Sequence, residues 1–259
     1  MATTTVDMAE KLPRWDLDSI FPSPESPEFQ EAAANASLAI AELTALFDRQ
    51  EIGTRPMEPI DANAISLCDE VVTRYDATLE DALRLDGYLG CLTVADVRDE
   101  AAQAAASEWR ETLVDLARLA PRFTAWVATL DIEAIVAGSR IAREHESTLR
   151  RLRRCAAHLM DPGEEDLAAA LAPSGATAWM ALHDELMALA TARIELDGEV
   201  RDQALSDVDN LRFHPDRDVR RRGHEVADGA RRALAVPLVA AINGVKGTAT
   251  DTRAPARLE

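Results

Sequence analysis

The sequence predicts a mainly α-helical protein, a multi-helix array with one short β-hairpin near residues 193–201. Three observations support this fold class. Apolar residues make up 47% of the chain but aromatic residues only 4%, so Ala and Leu, both strong helix formers, dominate the apolar share. Apolar positions recur every three to four residues over most of the length. One short stretch instead alternates apolar and polar residues and turns at an Asp-Gly pair, which is typical of a hairpin.

Residues 1–27 are predicted to form an extended N-terminal arm. Prolines are frequent between residues 12 and 27, and each of them disfavours helix at the residue before it. Apolar side chains within this segment can anchor it to the body of the protein: Trp15, Leu17, Ile20 and Phe21. We therefore expect an arm that is held against the helices rather than a free tail.

Residues 28–157 are predicted to form an N-terminal helical bundle. Its first helix begins near Phe29, continues with apolar positions at a helical spacing, and ends before Gly53. The second helix is expected to start at Asp61 or Asn63, because either side chain can accept a hydrogen bond from the free N–H groups of a helix start. These two helices form the first half of the bundle.

In the rest of this bundle, Gly and Pro residues are expected to interrupt or end the helices. Two glycines, Gly87 and Gly90, are expected to loosen the end of the second helix. A third helix is predicted over residues 96–120, where Pro121 should stop or kink it. The remaining predicted helical segments are a short apolar patch at 123–130, a short helix from 132 to Gly138, and a heavily charged helix over 141–159.

Residues 158–247 are predicted to form a second helical region that contains the hairpin. Its clearest signal is Asp161-Pro162, a cap followed by a proline at the first helical position, with Glu164 placed to complete a capping box. The remaining predicted features are a break at 173–175, a helix marked by Trp179 to Leu189, the hairpin turning at Asp197-Gly198, a short helix at 203–211, and a last helical stretch from about 215 to 247 with a break between 229 and 237. Residues 248–259 read as a polar tail.

The charge balance limits the classes of partner. Lys and Arg number 28 against 46 Asp and Glu, which gives a net charge of -18. Such a surface repels phosphate backbones and anionic lipids, so neither a nucleic acid nor a membrane is an expected partner. The N-terminus has no apolar run of signal length and no stretch approaches a membrane span, so the sequence predicts a cytoplasmic protein.

The three cysteines do not resemble a disulfide framework. Cys68, Cys91 and Cys155 are an odd and widely spaced set with no CxxC pair. We interpret them as reduced, small core residues.

Five histidines were compared with the zinc motif HExxH, in which two His one helical turn apart hold the metal and a Glu activates water. The pair His145-Glu146 is followed by Leu149, where the second ligand should stand. The pair His224-Glu225 is followed by Asp228, a possible but weaker ligand. None of the other three, His158, His183 and His214, has a His four residues on. The sequence therefore predicts no catalytic, cofactor-binding or metal-binding residue, with a metal site on His224 and Asp228 as an alternative.

Two basic runs invite a phosphate-binding interpretation. Arg150 to Arg154 and Arg220 to Arg222 each lie on a predicted helix beside acidic residues. Ion pairs within and between helices explain both runs better. The acidic run Glu164 to Asp166 suits a helix N-terminus, where the helix dipole favours anions, and needs no catalytic role.

Several sequence blocks follow one another between residues 12 and 247. They are Leu12 to Leu17 with Ile20-Phe21-Pro22, His158-Leu159 with Pro162 and Glu164-Glu165, Ala178 to Leu182, the Asp197-Gly198 hairpin, and Asp216 to Arg220. In order and spacing, these blocks together resemble the N-terminal part of oligoendopeptidase F-type proteins of the M3 metallopeptidase family.

The resemblance implies zinc-dependent endopeptidases that cleave short peptides inside a deep, mostly helical cavity. Their HExxH motif and a downstream Glu lie in a C-terminal catalytic domain, and the N-terminal part forms one wall of the cavity. We therefore expect this chain to stop before that domain, to be inactive alone, and to need the catalytic domain and its zinc to act on short peptides. The alternative is a stand-alone helical module that binds a peptide or protein without catalysis.

Overall fold

The computed structural model describes residues 16–53 and 61–253, with side chains up to Thr248. It confirms a mainly helical fold with a single two-stranded antiparallel sheet among the described residues. The longer elements are α1 (Pro27–Arg49), α2 (Ala62–Ala95), α3 (Glu100–Thr129), α4 (Ile132–Gly138), α5 (Arg140–Glu144), α6 (Glu146–Cys155), α7 (Pro162–Leu171), α8 (Ala176–Leu189), β1 (Thr191–Leu196), β2 (Glu199–Ala204), α9 (Leu205–Asn210), α10 (Arg217–Ala233) and α11 (Ala235–Arg253).

The described part of the arm is anchored by Phe21. Its ring lies 5.4 Å from that of Phe29 in α1 and 5.1 Å from that of Tyr88 in α2, both in edge-on contact. Leu17 also packs against the core, whereas Ile20 is 47% exposed and was wrongly expected to be an anchor. Trp15 and the block Leu12 to Trp15 lie outside the described residues.

Helix starts follow the capping residues that the sequence marks. The side chain of Ser26 accepts from the N–H of Phe29, and Pro27 occupies the first position of α1. Asp61, the first of the two expected caps, accepts from the N–H of Ala64 at 2.8 Å. These caps fix where α1 and α2 begin, because they satisfy N–H groups that have no partner within the helix.

The α2 helix does not loosen at its glycines. It continues through Gly87 and Gly90 to Ala95, because Leu85, Tyr88 and Leu89 are buried at this end. The cost of a helical Gly is about 1 kcal/mol. Burying one large apolar side chain contributes about 2 kcal/mol, so packing outweighs the glycines.

The α3 helix passes through Pro121 instead of stopping there. It starts after the cap Asp99, and the patch expected as a separate segment forms its last turns. A proline inside a helix costs about 3 kcal/mol because it removes a hydrogen bond. Phe123, Trp126 and Val127 are buried just beyond it, at about 2 kcal/mol each, which keeps the helix continuous.

The charged segment over 141–159 is divided rather than continuous. It consists of α5, α6 and a 3₁₀ turn at Ala156–His158. Ser139 caps α5 by accepting from the N–H of Ala142, and its own hydroxyl donates to Asp69 of α2. This contact ties the start of α5 to the middle of the bundle.

The hairpin forms where the Asp-Gly pair predicts it. Asp197 and Gly198 both have positive φ, 53° and 82°, as a two-residue turn of this twist requires. The strands extend a little beyond the predicted bounds, pairing Thr191 with Ala204 at the open end and Leu196 with Glu199 at the turn. The open end therefore continues directly into α9.

Two separate groups of buried residues form the interior. The larger, between Phe21 and Leu149, lies among α1 to α6. The smaller lies between the hairpin, α9 and α10. Its members are Ala190, Ala192, Ile194, Leu205, Val208 and Ala227.

All three cysteines were expected to be core residues, but only one of them is. Cys68 is fully buried in α2, whereas Cys91 and Cys155 are exposed. Burial, with a smaller contribution from the Asp69 carboxylate, raises the pKa of the Cys68 thiol from 9.0 to about 12. The thiolate is the reactive form, so Cys68 is protected from thiol reagents both because it is buried and because it stays protonated.

We expect two of the three thiols to react rapidly with a thiol reagent in the native protein, and the third only after unfolding. Because the unfolded thiol ionises near pH 9 and the folded one does not, Cys68 contributes stability that is present below pH 9 and lost as the pH rises towards 12. Counting thiols in a colorimetric assay at pH 8 tests the first part. The variant Cys68→Ala should keep two rapid thiols, and three rapid thiols in the native protein would contradict the placement.

Candidate functional site

The first His-Glu pair is used at a helix junction. His145 lies between α5 and α6, and its Nδ1 donates to the carbonyl oxygen of Ile141 at 3.0 Å. Its Nε2 lies 3.7 Å from a carboxylate oxygen of Asp76 in α2. The position of the missing ligand, Leu149, is 1% exposed within the larger core.

The second pair lies on the exposed side of α10. His224 is exposed, and Asp228, the alternative ligand, holds the guanidinium of Arg232 at 2.7 Å. A metal would have to displace this ion pair and find further ligands. Neither His-Glu pair therefore fits a zinc ion, and no group of three His, Cys, Asp or Glu is placed to hold a metal within residues 16–53 and 61–253.

The first basic run forms ion pairs, as expected. Arg150 donates to Glu146 at 2.8 Å on its own helix and to Glu133 of α4 at 2.7 Å. The hydrogen bond from Arg150 is the main cause that lowers the pKa of Glu133. Glu144, another acidic residue near this run in the sequence, pairs with Arg140 at 2.5 Å. The run thus joins α6 to α4.

The second basic run is only partly explained by ion pairs. Arg221 lies between Asp218 and Glu225, at 3.4 and 3.3 Å, within α10. Arg220 instead donates to the backbone carbonyl oxygens of His214 and Pro215. Its charge therefore has no carboxylate partner among the described residues.

The acidic run at the start of α7 has three distinct contacts. Glu164 completes the predicted capping box with Asp161. Glu165 is 5% exposed and accepts from the N–H of Met160 at 3.0 Å. Asp166 lies 3.0 Å from Nε of Arg118 in α3, close but poorly aligned for a hydrogen bond. The run therefore docks α7 onto α3, which the helix-dipole interpretation did not foresee.

A cavity of about 780 Å³ lies between α1, α3 and the start of α7. Its volume falls in the range of small-molecule sites. Apolar and charged side chains share its wall, and among the described residues of that wall no nucleophile lies beside a histidine. The side chains that line it include Ile40, Ala41, Leu119, Leu159, Met160, Arg118, Arg122 and Glu165.

The charged groups of this cavity are held by neighbours. Arg122 pairs with Asp48 of α1 at 2.9 Å and also donates to the carbonyl oxygen of Ile52. Arg118 pairs with Asp115 at 3.1 Å. The cavity is therefore a preformed recess, and both of the arginines named in its wall already have a carboxylate partner. Sequence reasoning missed it, because its wall comes from three segments far apart in the chain.

The pair formed by α8 and α11 is an unusually exposed apolar element. None of the residues of α8 is buried, although Trp179 and Met180 and several leucines lie on it. The two helices meet where the ring of Trp179 lies against Gly244, so closely that a Cβ on Gly244 would lie 2.5 Å from the ring. The large apolar side chains left exposed on this pair are Trp179, Met180, Leu189, Val236, Val239 and Ile242.

Contiguous exposed apolar surface is found at protein–protein contacts, at ligand grooves and at aggregation-prone surfaces. The apolar spacing predicts the helix from Trp179 to Leu189, but the exposure of its apolar side chains was not predicted. No helix among the described residues combines the length and apolar character of a membrane span.

Comparison with known proteins agrees with the resemblance seen in the sequence. Residues 131–189, from the cap of α4 to the end of α8, match the protein-family model described as oligopeptidase F. The fold is similar to that of the crystal structure of oligoendopeptidase F from Enterococcus faecium, with a TM-score of 0.65 and 16% sequence identity. The match covers 87% of this chain and 44% of that one, so the chain spans less than half of its length. No curated protein sequence matches.

Proposed function

We propose that this chain, the N-terminal part of an oligoendopeptidase F-like M3 peptidase, forms one wall of a peptide-binding cavity and does not cleave peptides alone. The observation that carries the proposal is the match of residues 131–189 to the family model, on a fold similar to part of that peptidase. The matched region ends in α8, whose exposed apolar side chains suit contact with a catalytic part.

Zinc is the cofactor that the family implies for the complete enzyme, where it would activate a water molecule for attack on a peptide bond. The two His-Glu pairs of this chain do not fit the ion, so its ligands would come from the catalytic part. The role left to the described residues is architectural. They shape the wall and limit which peptides enter.

The inactivity of the chain alone is tested on the purified protein. We expect metal analysis to find much less than one zinc per chain and a quenched fluorescent peptide to show no cleavage above buffer. Added zinc should not change this result, because neither His224 nor His145 has a second ligand in place. Stoichiometric zinc together with turnover would contradict the proposal.

The alternative is a stand-alone module that binds peptides in the cavity between α1, α3 and α7. The volume and mixed wall of that recess favour it. It predicts that labelled peptides bind the chain alone with micromolar affinity, measured by fluorescence anisotropy. A matched pair locates such binding: Ala41→Phe would block the cavity, whereas Ala45→Phe, also exposed on α1 but outside the wall, would not. Absence of binding in the unmodified chain would favour the cavity-wall proposal.

A further inference from the structure

A second, smaller cavity lies between α9, the 3₁₀ turn Leu211–Phe213 and α10. Its volume is about 250 Å³, too small for a drug-sized molecule but sufficient for one ionic group. Gly223 allows the close approach of these elements, because a Cβ there would lie 3.0 Å from Cβ of Leu211. The wall consists of Val208, Asp209, Arg212, Arg220, Gly223, His224 and Arg231.

Three arginines share this small wall with one carboxylate. Arg231 is neutralised by Asp209, whose Oδ2 lies 2.5 Å away. Arg220 is held by the carbonyl oxygens of His214 and Pro215, at 2.7 and 2.8 Å, which carry no net charge. Thus one of the three guanidinium charges is paired and Arg220 is fixed in place but unpaired.

Arg212 is the third. Its guanidinium lies 4.6 Å from the centre of the Phe213 ring, a stacking contact that orients it without neutralising it. Neither Arg212 nor Arg220 has a carboxylate partner in the described part of the chain. Two unpaired guanidinium groups at one cavity are notable in a chain of net charge -18, where carboxylates outnumber basic groups.

Adjacent like charges repel, and the repulsion is relieved when an anion sits between them. Guanidinium groups match the planar, two-oxygen geometry of carboxylates and phosphates, with which they form their strongest hydrogen bonds. His224 on the same wall can add a donor. We propose that this cavity is a binding site for a small oxyanion, a phosphate or a carboxylate group. The proposal is independent of peptidase function, since it needs no catalytic part.

The test is isothermal titration of the whole chain with inorganic phosphate at constant ionic strength set with chloride. A second titration uses one short peptide in two forms, with a free C-terminal carboxylate and with a C-terminal amide. We expect one phosphate per chain. If carboxylates are also accepted, the free-acid peptide binds and the amide does not, which separates the two sources of the oxyanion.

Arg212→Gln is the informative variant, because Arg212 is exposed and makes no ion pair or backbone hydrogen bond with any described residue. Removing one charge-assisted hydrogen bond should weaken binding by about tenfold or more. Arg232→Gln is the matched control: it removes an exposed arginine of α10 that pairs with Asp228 outside the cavity, and binding should stay within about twofold. Circular dichroism verifies that both variants are folded.

Two results would overturn the proposal. One is that neither phosphate nor the free-acid peptide binds more tightly than chloride and the amide. The other is that Arg212→Gln binds as tightly as the unmodified chain, because the anion would then be held elsewhere on the surface.

Discussion

Phe47→Ala is expected to lower the free energy of unfolding by about 4 kcal/mol. The ring is 0% exposed at the centre of the larger core and contacts three groups from two other helices. Its centroid lies 6.2 Å from that of Tyr75 and 6.4 Å from that of Phe123, and the guanidinium of Arg122 lies 5.5 Å above it. Removing the ring leaves a cavity where α1, α2 and α3 meet. Urea unfolding followed by circular dichroism measures the loss.

The matched control is Phe213→Ala. This ring is 74% exposed, so its removal should change the free energy of unfolding by less than about 1 kcal/mol. A loss below about 1 kcal/mol for Phe47→Ala as well would show that the three helices do not pack as described.

Gly53→Ala is expected to cost about 3 kcal/mol, for two reasons that act together. Gly53 has φ of 98°, a conformation that strains any residue with a Cβ by about 1–2 kcal/mol. The added Cβ would also lie 2.9 Å from both Cα and the carbonyl oxygen of Arg122, and backbone cannot move aside as a flexible side chain does. The turn after α1 would have to lift away from α3. The urea concentration at the unfolding midpoint of the Gly53→Ala variant should fall accordingly.

Gly198→Ala separates the two reasons. Gly198 also has positive φ, 82°, but nothing lies within 4 Å of the position of its Cβ. The free energy of unfolding of Gly198→Ala should therefore fall by the backbone strain alone, about 1–2 kcal/mol. Equal losses for the two variants would mean that the close approach of the turn to Arg122 does not exist in solution.

Local chemistry explains most of what the sequence predicted correctly. The caps Asp61 and Asp161 and the Asp197-Gly198 turn act through neighbours within four residues, so their effect is visible in the sequence. The resemblance of several sequence blocks to oligoendopeptidase F agrees with the family match of residues 131–189 and with the similar fold.

Features that depend on distant segments could not be predicted. Whether Pro121 ends α3 is decided by the burial of Phe123 and Trp126 against other helices, which no local pattern reveals. Ion pairs within and between helices were expected for Arg150, but no local pattern shows that its partner on another helix is Glu133 of α4. For the same reason neither cavity was predicted, because each wall is assembled by tertiary contacts. The neighbouring arginines Arg220 and Arg221 also look alike in the sequence, yet Arg221 pairs with carboxylates and Arg220 donates to backbone carbonyl oxygens.

The division of the interior into two buried groups has a consequence for the order of folding. The group around the hairpin joins residues that all lie between Ala190 and Ala227, whereas the larger group must bring Phe21 near segments that extend to Leu149. Closing a short loop costs less chain entropy than closing a long one. The hairpin with α9 and α10 can therefore fold early from contacts that are close in sequence. The larger core depends on contacts that are distant in sequence and therefore forms more slowly.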